Sequence, residues 1–74
     1  MWKEGEFDYQ GLTISYVAKV YDVTSEFGID NGRVVKLDLR NGDHLVADYD
    51  RGWETYPESD RDEDILEEFL ELFA

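Results

Sequence analysis

The chain has 74 residues and no cysteine, and its nineteen acidic against seven basic residues leave a net charge of −12. That length holds one small domain, near the lower limit for a single core without staples, and excludes a second. The missing cysteines exclude a disulfide framework, a thiolate nucleophile and a cysteine metal site, while the charge disfavours nucleic acid and anionic membrane as partners and favours basic protein surfaces.

The charge exceeds the magnitude of roughly 2–8 that solubility alone favours in a small domain. A weakly hydrophobic acidic chain stays disordered, because little apolar burial is on hand to offset conformational entropy. Here 42% apolar and 15% aromatic residues supply a core, so the chain is expected to fold. No apolar run nears the roughly 18 residues of a membrane span, and Met1–Lys3 does not open a signal peptide; cytoplasmic location is the expectation.

In chain order, residues 2–9 alternate as a half-buried strand, with Phe7 and Tyr9 on one side and Glu6 and Asp8 on the other. Residues 12–21 continue the alternation through Leu12, Ile14, Tyr16, Ala18 and Val20. A two-residue turn at Gln10-Gly11 sets Tyr9 opposite Leu12 and Phe7 opposite Ile14, which keeps every apolar member on one face. Residues 22–32 are too long for a tight turn and rich in turn formers. They carry Phe27 and Ile29, which either fold back on the sheet edge or stand out as a contact.

The next two strands, about 33–39 and 44–50, flank Asn41-Gly42, a strong hairpin signal. A two-residue turn there puts Leu45, Ala47 and Tyr49 on the wrong face. A three-residue loop, Arg40-Asn41-Gly42 with Gly42 left-handed in a bulge, pairs Leu37 with Leu45 and Val35 with Ala47, and is the predicted geometry. Residues 50–59 cross to the last element, with Pro57 placed just before a helix start.

The tail is that helix, about 60–73. At the 3.6-residue period Ile65, Leu66, Phe69, Leu72 and Phe73 gather on one side and Asp60, Asp64, Glu67 and Glu71 on the other. Asp60 and Glu63 have capping-box spacing, and acids in a first turn suit the macrodipole. Glu67, Glu68 and Glu71 lie too far along for that help. Asp60/Asp64, Glu63/Glu67, Asp64/Glu68 and Glu67/Glu71 are like-charge pairs at i,i+4, each costing roughly 0.2–0.5 kcal/mol. The face is either a solvated surface or a contact for a basic partner. The fold class is therefore α+β: a four-stranded antiparallel meander of two hairpins with one C-terminal helix packed on one face, without repeats.

Chemistry finds little footing, and no catalytic residue is assigned. His44, the one histidine, falls beside a turn on the outward face without a nucleophile, and so small a chain can hardly form a cleft for paired carboxylates. Asp60, Asp62, Asp64 and Glu71 match positions 1, 3, 5 and 12 of a calcium loop, but Ile65 stands where its turn needs glycine. The start at Asp48 and Asp50 fails at Gly52 and Ser59. No metal or cofactor is expected. At Tyr49-Asp50-Arg51-Gly52-Trp53, a guanidinium and an indole could clamp a stacked anion; the plainer alternative has Trp53 plugging the core under the helix and Arg51 paired to local acids.

The segments S-E-F-G-I-D-N-G-R at Ser25–Arg33, K-L at Lys36-Leu37 and Y-D-R-G-W at Tyr49–Trp53 resemble a family of small uncharacterised proteins encoded by phages and prophages. The likeness spans most of residues 2–53, with the tail diverging, and implies a mobile-element origin and the cytoplasm of an infected or lysogenic bacterial host. It carries no activity with it, and such proteins are often less acidic than this chain.

The leading expectation is an inhibitor of a nucleic-acid-binding host defence protein, such as a CRISPR effector or a restriction enzyme. It would mimic DNA through Asp60, Asp64, Glu67, Glu68 and Glu71. The second is a sponge for nucleotide signals using Tyr49, Arg51 and Trp53, with Arg33 or Lys36 for phosphate. The third is an assembly adaptor, compatible with a homodimer, that self-associates through an outward sheet face carrying Val17, Val34 and Val46.

Overall fold

A computed structural model describes residues 1–73. Five strands form one antiparallel sheet in the order of the sequence: β1 (Trp2–Tyr9), β2 (Leu12–Val20), β3 (Val34–Asn41), β4 (His44–Asp50) and β5 (Trp53–Thr55). A 3-10 turn, Ile29–Asn31, interrupts the β2–β3 connection, and helix α1 (Asp60–Leu72) closes the chain. The class is α+β as the periodicities require, but the sheet has five strands where four were expected. Trp53–Thr55 is too short to show alternation, and the backbone reverses into it through Arg51, a non-glycine residue at φ +56°.

The first hairpin has the register its apolar pattern demands: Tyr9 faces Leu12 and Phe7 faces Ile14. Gln10 and Gly11 both take positive φ, 48° and 84°, which matches the twist of a two-residue hairpin turn to its strands.

The second hairpin corrects the expectation. Gly42 is left-handed at φ +61°, but Asn41 faces His44 across a two-residue turn, Leu37 faces Tyr49 and Leu39 faces Ala47. The extra residue sits inside β4, between Leu45 opposite Arg40 and Ala47 opposite Leu39, so that Val46 is bulged. A second irregularity, where Lys19 faces Lys36 but Val20 faces Val34, inserts Val35. Each added residue resets the two-residue alternation. Val34, Val35, Val46 and Ala47 are therefore all buried, and of the three valines expected on the outward face only Val17 is exposed.

The core lies between one face of the sheet and α1. Tyr9, Ile14, Ala18, Leu37, Leu39, Ala47 and Tyr49 meet Ile65, Leu66 and Phe69 there. Tyr16 packs edge-on against Phe69 and Phe73 at 5.1 and 5.7 Å between ring centres, contacts worth about 0.5–1.5 kcal/mol each beyond the area they bury. Leu72, expected on the apolar stripe, falls on its flank and is exposed. Ile29 folds into the core, whereas Phe27 stands out; its carbonyl accepts from the Tyr49 hydroxyl at 2.7 Å.

The helix begins one residue earlier than the capping-box spacing implied. Ser59 is the N-cap, its Oγ accepting from the Asp62 amide at 3.1 Å. Asp62 stands three, four and seven residues before Ile65, Leu66 and Phe69, so it falls on the same buried stripe and is 3% exposed. At the other end Arg33 donates to the Phe73 carbonyl at 2.8 Å and supplies the positive charge the last turn lacks. No helix among the described residues is long and apolar enough to cross a membrane.

Candidate functional site

Because α1 buries Asp62, Ile65, Leu66 and Phe69, the 100° step between residues sets Asp60, Glu63, Asp64, Glu67, Glu68 and Glu71 on the side facing solvent, and all six are exposed. With about 1.5 Å of rise per residue, Asp60 to Glu71 spans roughly 16 Å of helix axis. Among the described residues no lysine, arginine or histidine forms an ion pair with any of the six. The one hydrogen bond to a ridge side chain among the described residues is long: the Tyr9 hydroxyl donates to Asp64 Oδ2 at 3.4 Å. Burial pushes the Tyr9 phenol above its ordinary range, and the Asp64 carboxylate adds to the shift.

Five of the seven basic side chains are engaged elsewhere, Arg33 at the Phe73 carbonyl and four with acids off the ridge. Lys36 reaches Asp50 at 3.8 Å, Arg40 reaches Asp38 at 2.8 Å, Arg51 reaches Asp50 at 3.5 Å, and Arg61 points its Nε to Asp62 Oδ1 at 3.9 Å. The hydrogen bonds it donates to Asp38 hold the Arg40 guanidinium above its usual range. The five ridge residues singled out from the sequence thus share one face of one rigid element.

The residues of the alternative ligand site do not converge. Arg33 caps the helix C-terminus, Lys36 lies on the sheet face turned away from α1, and Arg51 projects from the β4–β5 turn. Tyr49 and Trp53 do meet, edge to face at 4.9 Å. Trp53 does not plug the core beneath the helix: it remains 39% exposed at the rim. Lys36 and Tyr49 both border an open trough of about 540 Å³ on the far sheet face, where Asp38, Asp48, Asp50 and Glu54 outnumber Lys36 and Arg40.

Two features escaped the sequence. His44 does not face outward; past the β4 bulge it turns to the helix side, and its Nε2 lies 2.7 Å from Asp62 Oδ2. A hollow of about 210 Å³ also opens beside the ridge, where the 3-10 turn, β5 and α1 meet. Trp53 and Tyr56 line it, 5.0 Å apart and nearly perpendicular, over apolar surface from Ile29 and Leu70. Asp30, Glu63 and Glu67 surround it. The signal available in advance was the W-E-T-Y spacing at Trp53–Tyr56, which puts two aromatics just ahead of an acidic helix.

No characterised protein and no solved structure matches the chain significantly. A family of domains of unknown function matches residues 1–74. The chain belongs to that family, DUF7678.

Proposed function

We propose that this protein binds a basic, nucleic-acid-binding partner by presenting the α1 carboxylates in place of phosphates, and so inhibits it. The observation that carries the reading is the ridge itself: acids held on a rigid helix, exposed, with no internal cation paired to them among the described residues. Their mutual repulsion persists in the free protein and is relieved when arginines or lysines of a partner dock against it. One strand of a DNA duplex advances about 3.4 Å of axis per phosphate, so the roughly 16 Å from Asp60 to Glu71 corresponds to about five phosphates. The motifs at Ser25–Arg33 and Tyr49–Trp53 that resemble phage-encoded proteins support a host defence protein, such as a CRISPR effector or a restriction enzyme, as the proposed partner class.

The test is replacement of Asp64, Glu67 and Glu71 by lysine, with circular dichroism to establish that the variant is folded. Capture of the partner from host lysate should be lost, and DNA should compete for the captured protein. Unchanged capture by the folded variant would remove the ridge from the account. So would binding that ignores salt between about 50 and 200 mM, since exposed charge contacts are screened.

One observation favours the nucleotide-sponge alternative: the far-face trough falls in the roughly 300–1,000 Å³ range of small-molecule sites. Its acidic excess opposes a phosphate. A ligand at 100 times its dissociation constant stabilises by about 2.7 kcal/mol, so a thermal-shift screen with cyclic nucleotides that shows no shift would retire that reading.

A further inference from the structure

The hollow at Trp53 and Tyr56 combines three properties. It has aromatic walls that remain 39% and 55% exposed, an apolar floor, and three carboxylates at its border. Exposed aromatics are costly unless something covers them. The carboxylates exclude an anion, and the roughly 210 Å³ is small for a nucleotide, whose class of ligand takes about 300–1,000 Å³. Nor do the acids converge as metal ligands: no group of three or more metal-binding side chains comes together among the described residues. What fits is an organic cation on an apolar stem, of the size of one amino-acid side chain.

We propose that this hollow is an anchor site for a single arginine side chain of the basic partner, an inference that rests on the proposed reading of the neighbouring ridge. The methylene stem lies on Ile29 and Leu70. The guanidinium stacks against Trp53 or Tyr56 and donates to Asp30, Glu63 and Glu67. Arginine is favoured over lysine because its planar head is more weakly hydrated, stacks on aromatic rings and carries five donors to divide among three acids. Arg33 lines the adjoining hollow, which shares Ile29, Asp30 and Leu70, but its guanidinium is committed to the Phe73 carbonyl. Glu63 and Glu67 belong to both features, so the anchor would fix where along the ridge the partner's other cations land.

The experiment uses the intact chain, nitrogen-15 labelled, titrated with a capped hexa-arginine peptide and separately with hexa-lysine. The indole N–H of Trp53 reports on the hollow; that of Trp2, which borders the acidic far-face trough, shows how large a shift a merely acidic surface gives. The expected result is a saturable shift of the Trp53 indole with hexa-arginine and a much smaller one with hexa-lysine. Tyr56→Ala should weaken arginine binding roughly five- to thirtyfold, the range expected for a desolvated cation–π contact. Ridge amides that shift while the Trp53 indole stays still would overturn the anchor and leave the ridge standing. Silence at both would overturn both. Equal Trp53 shifts with the two peptides would overturn the choice of arginine. Because the titration is read on the unmutated protein, a Tyr56→Ala variant that fails to fold still leaves the inference open to refutation.

Discussion

His44 Nε2 lies 2.7 Å from Asp62 Oδ2, joining the β3–β4 hairpin to the first turn of α1. The carboxylate is almost wholly buried, while the imidazole keeps about half its surface in water. The second oxygen, Asp62 Oδ1, has no hydrogen-bond partner among the described residues. Replacing His44 by alanine should cost about 1–3 kcal/mol, because it strands a buried acceptor. Asp62→Ala should cost a similar amount, and the double variant should lose clearly less than the sum. Urea denaturation of the four proteins checks this, and strictly additive losses would show that the two side chains do not cooperate.

The ridge carries a stability cost that a single substitution can relieve. Glu71 lies near the helix C-terminus, where negative charge opposes the macrodipole, and it stands i+4 from Glu67. Glu71→Lys should raise stability by about 0.3–1 kcal/mol at low ionic strength, with the gain shrinking in 1 M salt. The same variant should bind the basic partner less well. Thermal melts at two salt concentrations, beside a binding assay, would show gain and loss in one protein.

Two glycines in the connecting segments should respond in opposite ways. A Cβ on Gly28 would sit 2.2 Å from the carbonyl oxygen of Gly32, a backbone atom fixed by its hydrogen bond from the Ser25 amide. Gly28→Ala must open that loop, at an expected cost of about 1–3 kcal/mol. A Cβ on Gly52 meets nothing within 4 Å, so Gly52→Ala should fall within about 0.5 kcal/mol of the parent. Denaturation midpoints of the two variants settle the comparison.

Tyr9 sets an alkaline limit. Its phenol is raised above 10.0 by burial first and by Asp64 second, so the folded protein resists ionisation that the unfolded chain accepts. The associated stability is complete below a pH of about 10 and is lost as the pH climbs from there through the raised value. Melting temperatures of the parent and Tyr9→Phe should therefore differ by a constant amount near neutrality. Above about pH 10 the parent should lose ground to the variant.

The parts of the fold legible in the sequence are those where one periodicity runs unbroken. Phe7, Tyr9, Leu12 and Ile14 alternate up to and away from Gln10-Gly11, and only one register keeps them together. Ile65, Leu66 and Phe69 mark one helical stripe, and the ridge follows as its complement. The second hairpin was not legible, because Leu45-Val46-Ala47 is apolar at three successive positions and fits a strand facing either way. The bulge at Val46 resolves it by burying two neighbours at once. The same reset carried His44 to the helix side and concealed its partnership with Asp62, which the linear pattern offered as a calcium ligand. Of the hollow, Trp53 and its spacing to Tyr56 were there to be read, but Asp30 was not, since it arrives from a distant turn with a backbone at φ +54°.

Every strand in this sheet lies beside its neighbour in sequence. Nothing has to cross over, and each hairpin can close before the next strand is reached, so the entropy of loop closure comes in small instalments. Chains rich in such local pairings assemble quickly for their size. The long-range contacts are those of α1, whose Ile65, Leu66 and Phe69 pack on strands as distant in sequence as β1 and β2.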